Sequence, residues 1–430
     1  MSLEKITSVD FGNSLFLVRR GDFSILYSGL NGLAMEVKED GVRALLDHFS
    51  GKEKNDTTEN FLRDNGFFNV RKFPDLEKEY LPTDVVFSVT SDCNLRCVYC
   101  YARAGLDSER MTPELAKAAI DVIIHNAKDK NWKKIHIGFL GGGETMLEYN
   151  LVKFIVEYAK THWDKEISFS MVTNATLLDE EKSDFLVSNG FRITVSLDGP
   201  KEVQDNQRPT ISGRGSYDAC IRGIRNLKKS GCKKIGIRAT MTKNNIHLLK
   251  EMLDIAKDLD VALKVEPITP TGRGEESPDV ISASEFIHEY QNAREYARKL
   301  GVVLKSTYDN DFNPRLNFCS GNGRSFCVLP QGEITSCSRV TRKDDLLADQ
   351  YIIGKLTDSS LQIDDEKVSF LRTLSPSNFP QCVDCFAKWY CAGGCHATRL
   401  SNNGLMSEDH CAISQHFLFE NIREKIKKGG

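Results

Sequence analysis

The chain has 430 residues, of which 40% are hydrophobic and 27% charged, with a net charge of -3. That balance excludes a strongly basic nucleic-acid surface and an acidic tail, and no apolar run approaches the roughly 18 residues that span a bilayer. The length calls for about two or three domains. The start, Met1-Ser2-Leu3-Glu4-Lys5, lacks an apolar signal core, so the expectation is a cytoplasmic protein with neither nucleic acid nor membrane as partner.

Residues 14 to 28 read as a hairpin, with Leu15–Val18 and Phe23–Tyr27 flanking a turn at Arg20-Gly21-Asp22. A helix follows, carrying Val42, Leu45, Leu46 and Phe49 on one stripe and Gly51 at its end. A shorter helix near Thr58 to Asn65 precedes Gly66, and Pro74 to Pro82 read as a linker. Residues 1–80 are therefore expected to form a small, separate N-terminal unit.

From Asp84 strands alternate with amphipathic helices. The strands are Val85–Thr90, Lys134–Leu140, Ile167–Val172, Arg192–Leu197, Lys234–Met241 and Ala262–Pro267. The helices between them are Pro113–Ala127, Leu151–Trp163, Asp179–Ser188, Ser216–Lys229 and Ile246–Leu259. Six β/α repeats imply a parallel sheet with helices outside, curled by right-handed crossovers into a full or partial barrel over residues 84–300. Chemistry in such folds sits at the C-terminal ends of the strands. Beyond a helix at Ala283–Leu300 lies a cysteine-rich segment, residues 310–430, closed by a helix at Gln415–Lys427. This segment is too poor in periodic apolar residues to hold itself together without metal.

The 13 cysteines are unevenly placed. Cys220 and Cys232 read as ordinary buried thiols; the rest form two groups. Disulfides are rare in a reducing compartment, so clustered thiols there point to metal. The first group, Cys93-Asn94-Leu95-Arg96-Cys97-Val98-Tyr99-Cys100, is a C-x3-C-x2-C run just after the first barrel strand. Three thiolates can hold three corners of a cubane cluster and leave one iron open, where iron–sulfur clusters normally take four cysteines. The alternative is zinc, which favours paired C-x2-C knuckles or Cys/His quartets.

Other strand ends carry polar groups: Gly141-Gly142-Gly143-Glu144, Thr173-Asn174 and Ser196-Leu197-Asp198-Gly199, with Arg238 inside the fifth strand. Glycines let backbone approach a ligand closely, and a carboxylate can pair with an ammonium group. Each alone reads as an ordinary turn. Their order together with the cysteine triplet resembles the radical S-adenosylmethionine superfamily. The resemblance implies that the open iron chelates the methionyl amino and carboxylate groups of the cofactor, with Gly142, Gly143 and Glu144 at the amino group and Tyr99 beside the adenine. Ser196 and Arg238 match contacts to ribose or carboxylate, and Thr173 and Asn174 complete the cofactor-binding set. The chain departs from the pattern at Thr145, where Pro is common, and at Ala175, where Gly is frequent.

The second cysteine group begins with Cys319 and Cys327, continues with Cys337 at the end of a G-x4-C run, and adds Cys382, Cys385, Cys391, Cys395 and Cys411. Eight thiols make two four-thiolate sites, and zinc is again the alternative. The spacing resembles the SPASM extension of radical enzymes, which implies two auxiliary [4Fe–4S] clusters and three in all. By that family's interleaved ligation, Cys319, Cys327, Cys337 and Cys395 hold one and Cys382, Cys385, Cys391 and Cys411 the other, with Cys327 the ligand that some relatives replace.

The implied activity is reductive cleavage of S-adenosylmethionine to a 5′-deoxyadenosyl radical that abstracts hydrogen from a substrate, fed by a reductant such as flavodoxin or ferredoxin. About ninety residues precede Cys93 and Ser338 follows Cys337. Sulfatase-maturating relatives begin near their triplet and have Asp at the latter place, so both features argue against that activity. The N-terminal unit resembles the winged-helix-like domain that binds leader peptides of ribosomally made natural products. The expectation is thus a peptide maturase acting on a leader-bearing precursor and installing a thioether or carbon–carbon cross-link. The alternatives are an anaerobic sulfatase maturase-like activity, dehydrogenation of a small alcohol or sugar and, last, a redox sensor with no catalysis. No catalytic base is identified; Ser338 and Glu266 are candidates by location.

Overall fold

The computed structural model describes residues 5–52, 56–69, 71, 73, 79–275, 277–309 and 313–428. Much of the expected linker, residues 74–78, and the first four residues of the chain lie outside this set. The chain divides into two compact units, one formed by Met1–Glu77, Thr307–Cys319 and Thr373–Gly430, the other by Lys78–Ser306 and Ser320–Arg372.

The first unit starts with a four-stranded antiparallel sheet of β1 (Thr7–Asp10), β2 (Leu15–Arg20), β3 (Phe23–Ser28) and β4 (Leu33–Glu36), in chain order. The expected hairpin is its centre, with Arg20 opposite Phe23 across the tight turn. One sheet face buries Leu15 and Leu26 with Leu45 of α1 (Glu39–Phe49) and Leu62 of α2 (Asp56–Asp64). Strands β1 and β4 are the outer ones, and all four positions of β1 are exposed.

The second unit is the barrel. Its strands are β5 (Asp84–Phe87), β6 (Lys134–Phe139), β7 (Glu166–Thr173), β8 (Arg192–Ser196), β9 (Ile235–Met241) and β10 (Ala262–Pro267), all parallel and ordered along the sheet as in the chain. Between them run α3 (Pro113–Asp129), α4 (Tyr149–His162), α5 (Glu180–Ser188), α6 (Lys201–Gln207), α7 (Tyr217–Lys229) and α8 (Leu249–Asp258), followed by α9 (Ala283–Leu300). The apolar stripes account for the helices' burial: Ala116, Ala119, Ile120 and Ile123 of α3 are fully covered. Helix caps match the sequence, with Thr112 accepting from Leu115 ahead of Pro113 and a Ser282/Glu285 capping box on α9. Phe87, Phe139, Phe169 and Phe191 form a buried run of ring contacts at centroid separations of 5.1 to 6.0 Å.

The barrel does not close. β11 (Leu304–Lys305) extends β10, while β12 (Cys327–Val328) lies parallel to β5 with Cys327 opposite Val86. The sheet continues through β13 (Glu333–Thr335), β14 (Ile352–Leu356) and β15 (Leu361–Ile363), with α10 (Ala348–Tyr351) and α11 (Asp365–Arg372) packed beside them. The strand expected at 85–90 ends at Phe87 because the chain there changes partners. Ser88 N still bonds Val328 O, but Val89 O accepts from Met111 and Thr90 bridges Arg110.

The rest of the first unit carries α12 (Lys388–Cys391), α13 (His396–Ser401) and α14 (Glu408–Lys427). The last helix begins earlier than its apolar period suggests, at the cap Ser407, and so includes Cys411. The second face of the N-terminal sheet packs here. Phe16, Val18, Ile25 and Tyr27 join Phe386, Ala387, Tyr390, Leu418, Phe419 and Ile422 in one buried cluster. Trp389 donates its indole N–H to Ser14 Oγ at 2.8 Å, and Arg20 pairs with Glu420 at 2.8 Å. The sheet is thus covered on both faces.

Candidate functional site

At the C-terminal ends of the barrel strands lies a cavity of about 350 Å³, within the usual size of a small-molecule site. Cys93, Cys97, Cys100, Tyr99, Gly142, Gly143, Glu144, Thr173, Asn174, Ser196 and Arg238 all line it. Every barrel residue proposed from the sequence for the cofactor or the first cluster is therefore in one place. Ser338 and Glu266 line it as well.

The cysteine loop is held by its backbone. Arg96 Nη1 donates to Cys93 O at 2.6 Å and Leu95 O at 2.9 Å, and Arg273 Nη1 donates to Cys97 O at 3.1 Å. Neither arginine stands out in the sequence, since a guanidinium that bonds backbone carbonyls depends on no particular side chain, and the partner of Arg273 is 176 residues away. The glycine loop presses against the start of the cysteine loop. Gly143 N bonds Thr90 O and Glu144 N bonds Asp92 O, both at 2.8 Å. A Cβ on Gly143 would stand 1.6 Å from Asp92 O, and Gly142, at φ +55°, would put one 2.5 Å from Thr90 O. The close approach these glycines permit is thus first of all to the cysteine loop.

Glu144 is 4% exposed, and its carboxylate accepts from Thr173 Oγ1 at 2.7 Å, Asn174 N at 2.8 Å and Met146 N at 3.1 Å. Burial pushes its carboxyl upward, against these donors. About four acceptor sites exist on a carboxylate, so most of its capacity is spent on the protein. Asn174 also donates to Asn94 at 2.9 Å, which ties the third strand end to the cysteine loop. Thr173 and Asn174 are therefore braces for Glu144 and for the loop. Ala175 sits at φ +60° and is fully buried. This is the left-handed conformation that explains why glycine is frequent there.

Ser196 and Arg238 are register partners on adjacent strands. Tyr99 donates its hydroxyl to Asp198 and accepts from Arg208 Nη1 at 2.7 Å. Arg208, between α6 and α7, was not singled out by the sequence reading. Its Nε is buried without a hydrogen-bond partner in the cavity wall. Burial opposes its charge, but Cys97, Tyr99 and Asp198 hold it protonated. An orphaned guanidinium N–H in a polar cavity is suited to an anionic group of a ligand.

The Cys93 thiol is pushed up to about 12, chiefly by burial, and Cys97 is raised by burial as well. Such thiols stay protonated unless a cation displaces the proton, which is the donor chemistry of a metal or iron–sulfur site. The cavity fits an iron–sulfur cluster with a polar organic ligand: three thiols, a fixed cation, and space beside them.

In the first unit, Cys382, Cys385, Cys391 and Cys411 form a second group. Their sulfurs already receive donors: Arg399 Nη2 to Cys382 at 3.6 Å, Gln415 Nε2 to Cys385 at 3.6 Å and Gln381 Nε2 to Cys411 at 3.8 Å. Burial, then the neighbouring thiols, push Cys391 up to about 12 and Cys411 to about 11. Arg399 is itself 2% exposed and bonds Gly393 O and Gly404 O. The other downstream thiols are divided, Cys319 and Cys395 belonging to the first unit and Cys327 and Cys337 to the second. Among the described residues, no three His, Cys, Asp or Glu side chains are drawn together as around a single metal ion. No described helix is long and apolar enough to cross a membrane.

Residues 87–258 match the Radical SAM superfamily. The chain is 25% identical over 340 residues to the mycofactocin maturase MftC of Mycolicibacterium smegmatis, covering 74% of this chain and 79% of that one. A solved structure described as native anSMEcpe with bound AdoMet superposes with a TM-score of 0.66 at 20% identity, covering 80% of this chain and 98% of its own. Streptococcus suis SuiB bound to precursor peptide SuiA superposes with a TM-score of 0.54 at 15% identity, covering 92% of this chain and 97% of its own. The family implies S-adenosylmethionine and a [4Fe–4S] cluster, for which the thiol-lined cavity has the donors and the room. Residues 87–258 are thus a radical SAM domain, and the protein is a radical SAM enzyme.

Proposed function

We propose that this enzyme matures a ribosomally made precursor peptide, recognising its leader and installing a thioether or carbon–carbon cross-link. The observation that carries the reading is the N-terminal sheet. It adds an exposed outer strand, β1, to a radical SAM barrel, and an extended peptide can bind such an edge as a further strand. Two relatives support it: MftC is named a maturase, and SuiB, solved with its precursor peptide, covers 92% of this chain.

In the barrel, Cys93, Cys97 and Cys100 would hold the first cluster, with Tyr99, Gly142, Gly143, Glu144, Ser196, Arg208 and Arg238 around S-adenosylmethionine. When bound, cluster and cofactor supply the one-electron chemistry that generates a hydrogen-abstracting 5′-deoxyadenosyl radical. The chain's own residues fix the geometry: Arg96 and Arg273 hold the thiol loop, and Thr173 and Asn174 hold Glu144. Two auxiliary [4Fe–4S] clusters on the eight downstream thiols, and a flavodoxin or ferredoxin as reductant, complete the proposal.

The test is co-expression with short peptides encoded beside the enzyme's gene, followed by mass spectrometry. A loss of two hydrogens per cross-link supports the reading, and modification of a small alcohol or sugar instead of any peptide contradicts it. Removing residues 1–80 is a poor test of leader binding, since it strips the cover from Phe386, Leu418 and Phe419. Ser8→Pro and Val9→Pro, which disturb only the outer strand, are the better pair. Leader affinity measured by fluorescence anisotropy should fall about tenfold in at least one.

A further inference from the structure

The hydroxyl of Tyr27 is completely buried and has no hydrogen-bond partner. A buried donor left unpaired is disfavoured by about 1–3 kcal/mol, so its retention implies a partner. Tyr27 lies on β3, on the sheet face that meets α12 and α14, and Cys385 packs against the same cluster of side chains. The neighbouring Tyr390 hydroxyl is committed elsewhere, donating to Tyr308 O and accepting from Asn421 Nδ2 at 3.3 Å. What remains beside that cluster is the Cys385 thiol, one member of the quartet. A phenol carries its proton at neutral pH and is therefore available as a donor.

The quartet is already ringed by donors to sulfur from Arg399, Gln415 and Gln381. Other buried polar atoms without partners occur in the same unit, at His410 Nε2, beside Cys411 in the chain, and at Ser414 Oγ.

We propose that the Tyr27 hydroxyl donates a hydrogen bond to the iron–sulfur cluster held by Cys382, Cys385, Cys391 and Cys411, on the Cys385 side, and thereby raises its reduction potential. The inference rests on the reading that this quartet holds a cluster. Reduction adds a negative charge to the cluster, and a donor bonds the more negative form more strongly. The sheet proposed to bind the leader is then also a wall of the auxiliary site and sets its potential.

Tyr27→Phe removes one oxygen that has no partner in the metal-free protein, so the apoprotein should fold and melt no lower than the parent. The experiment uses full-length, anaerobically reconstituted protein in a background with Cys93, Cys97 and Cys100 changed to Ala, which silences the first cluster. Iron and sulfide are counted, and the remaining clusters are titrated potentiometrically with EPR detection. The expected result is an unchanged iron count and a lower midpoint for one auxiliary cluster, with the reduced-to-oxidised ratio down about tenfold at fixed potential, or 59 mV for one electron. The other cluster stays unmoved. Unchanged midpoints at full iron content overturn the inference. A variant with Cys382, Cys385, Cys391 and Cys411 all changed to Ala that binds as much iron as the background overturns the cluster reading, and the inference with it.

Discussion

The two thiol groups of this protein are held in opposite ways. In the barrel, arginines grip the backbone carbonyls of the cysteine loop, and the glycine loop presses on its first turn. The side chains are left to face a cavity. In the first unit, side-chain N–H groups reach three of the four sulfurs of the quartet directly, and a buried aromatic core covers one side. An open site that must admit a cofactor is fixed through its backbone, and a closed one can be fixed through its sulfurs.

The largest break in that contrast is Cys97→Ala, which removes one corner of the open site. Formation of 5′-deoxyadenosine, measured by mass spectrometry after reduction, should fall at least about a thousandfold, or roughly 4 kcal/mol in the barrier. Cys220→Ala, a buried thiol outside both groups, should leave it unchanged.

The closed site is also the acid-sensitive one. Burial holds His396, His410 and His416, all in the first unit, down to about 4. Their folded values lie below the unfolded value of about 6.5, so unfolding takes up protons between pH 6.5 and 4. Stability is therefore full above about pH 6.5 and is lost as pH falls toward 4, on the order of 1 kcal/mol per histidine per pH unit. Urea titrations across that range check this, and a stability that rises on acidification would contradict it.

Gly143→Ala attacks the backbone grip of the open site. Its Cβ meets Asp92 O rather than a movable side chain, so the loops must part, at a cost of about 3 kcal/mol or more. Iron bound to the barrel should drop while iron on the quartet persists. The smallest effect is expected at Ala175→Gly. Relief of about 1–2 kcal/mol of left-handed strain is partly cancelled by about 0.4–1 kcal/mol of unfolded-state entropy, leaving a gain near 0.5 kcal/mol in denaturant unfolding.

Much of the barrel and its site was legible in the sequence because its signals are local. Period-3.6 stripes mark the helices, and short polar motifs mark each strand end, so the positions from Cys93 to Arg238 fall together once the strands are placed. Long-range contacts were not legible. Arg208 and Arg273 act on partners far along the chain, and an arginine that bonds carbonyls looks like any surface arginine until the fold is known. Glu144 was read as facing a ligand, yet its oxygens chiefly serve Thr173, Asn174 and Met146, a commitment invisible in Gly-Gly-Gly-Glu. The N-terminal hairpin was visible from its alternation, but not the second face of its sheet. Phe16, Val18, Ile25 and Tyr27 could announce only that they are buried, and their partners lie at residues 386–422.

The central claim is that the barrel triplet is the open, cofactor-binding site and the quartet is closed. EPR spectra of reduced, reconstituted protein with and without S-adenosylmethionine test it most directly. The account predicts that the cofactor alters a signal in the parent and in Cys385→Ala, and that the alteration disappears in Cys97→Ala. A cofactor-dependent change that survives in Cys97→Ala but vanishes in Cys385→Ala would contradict it.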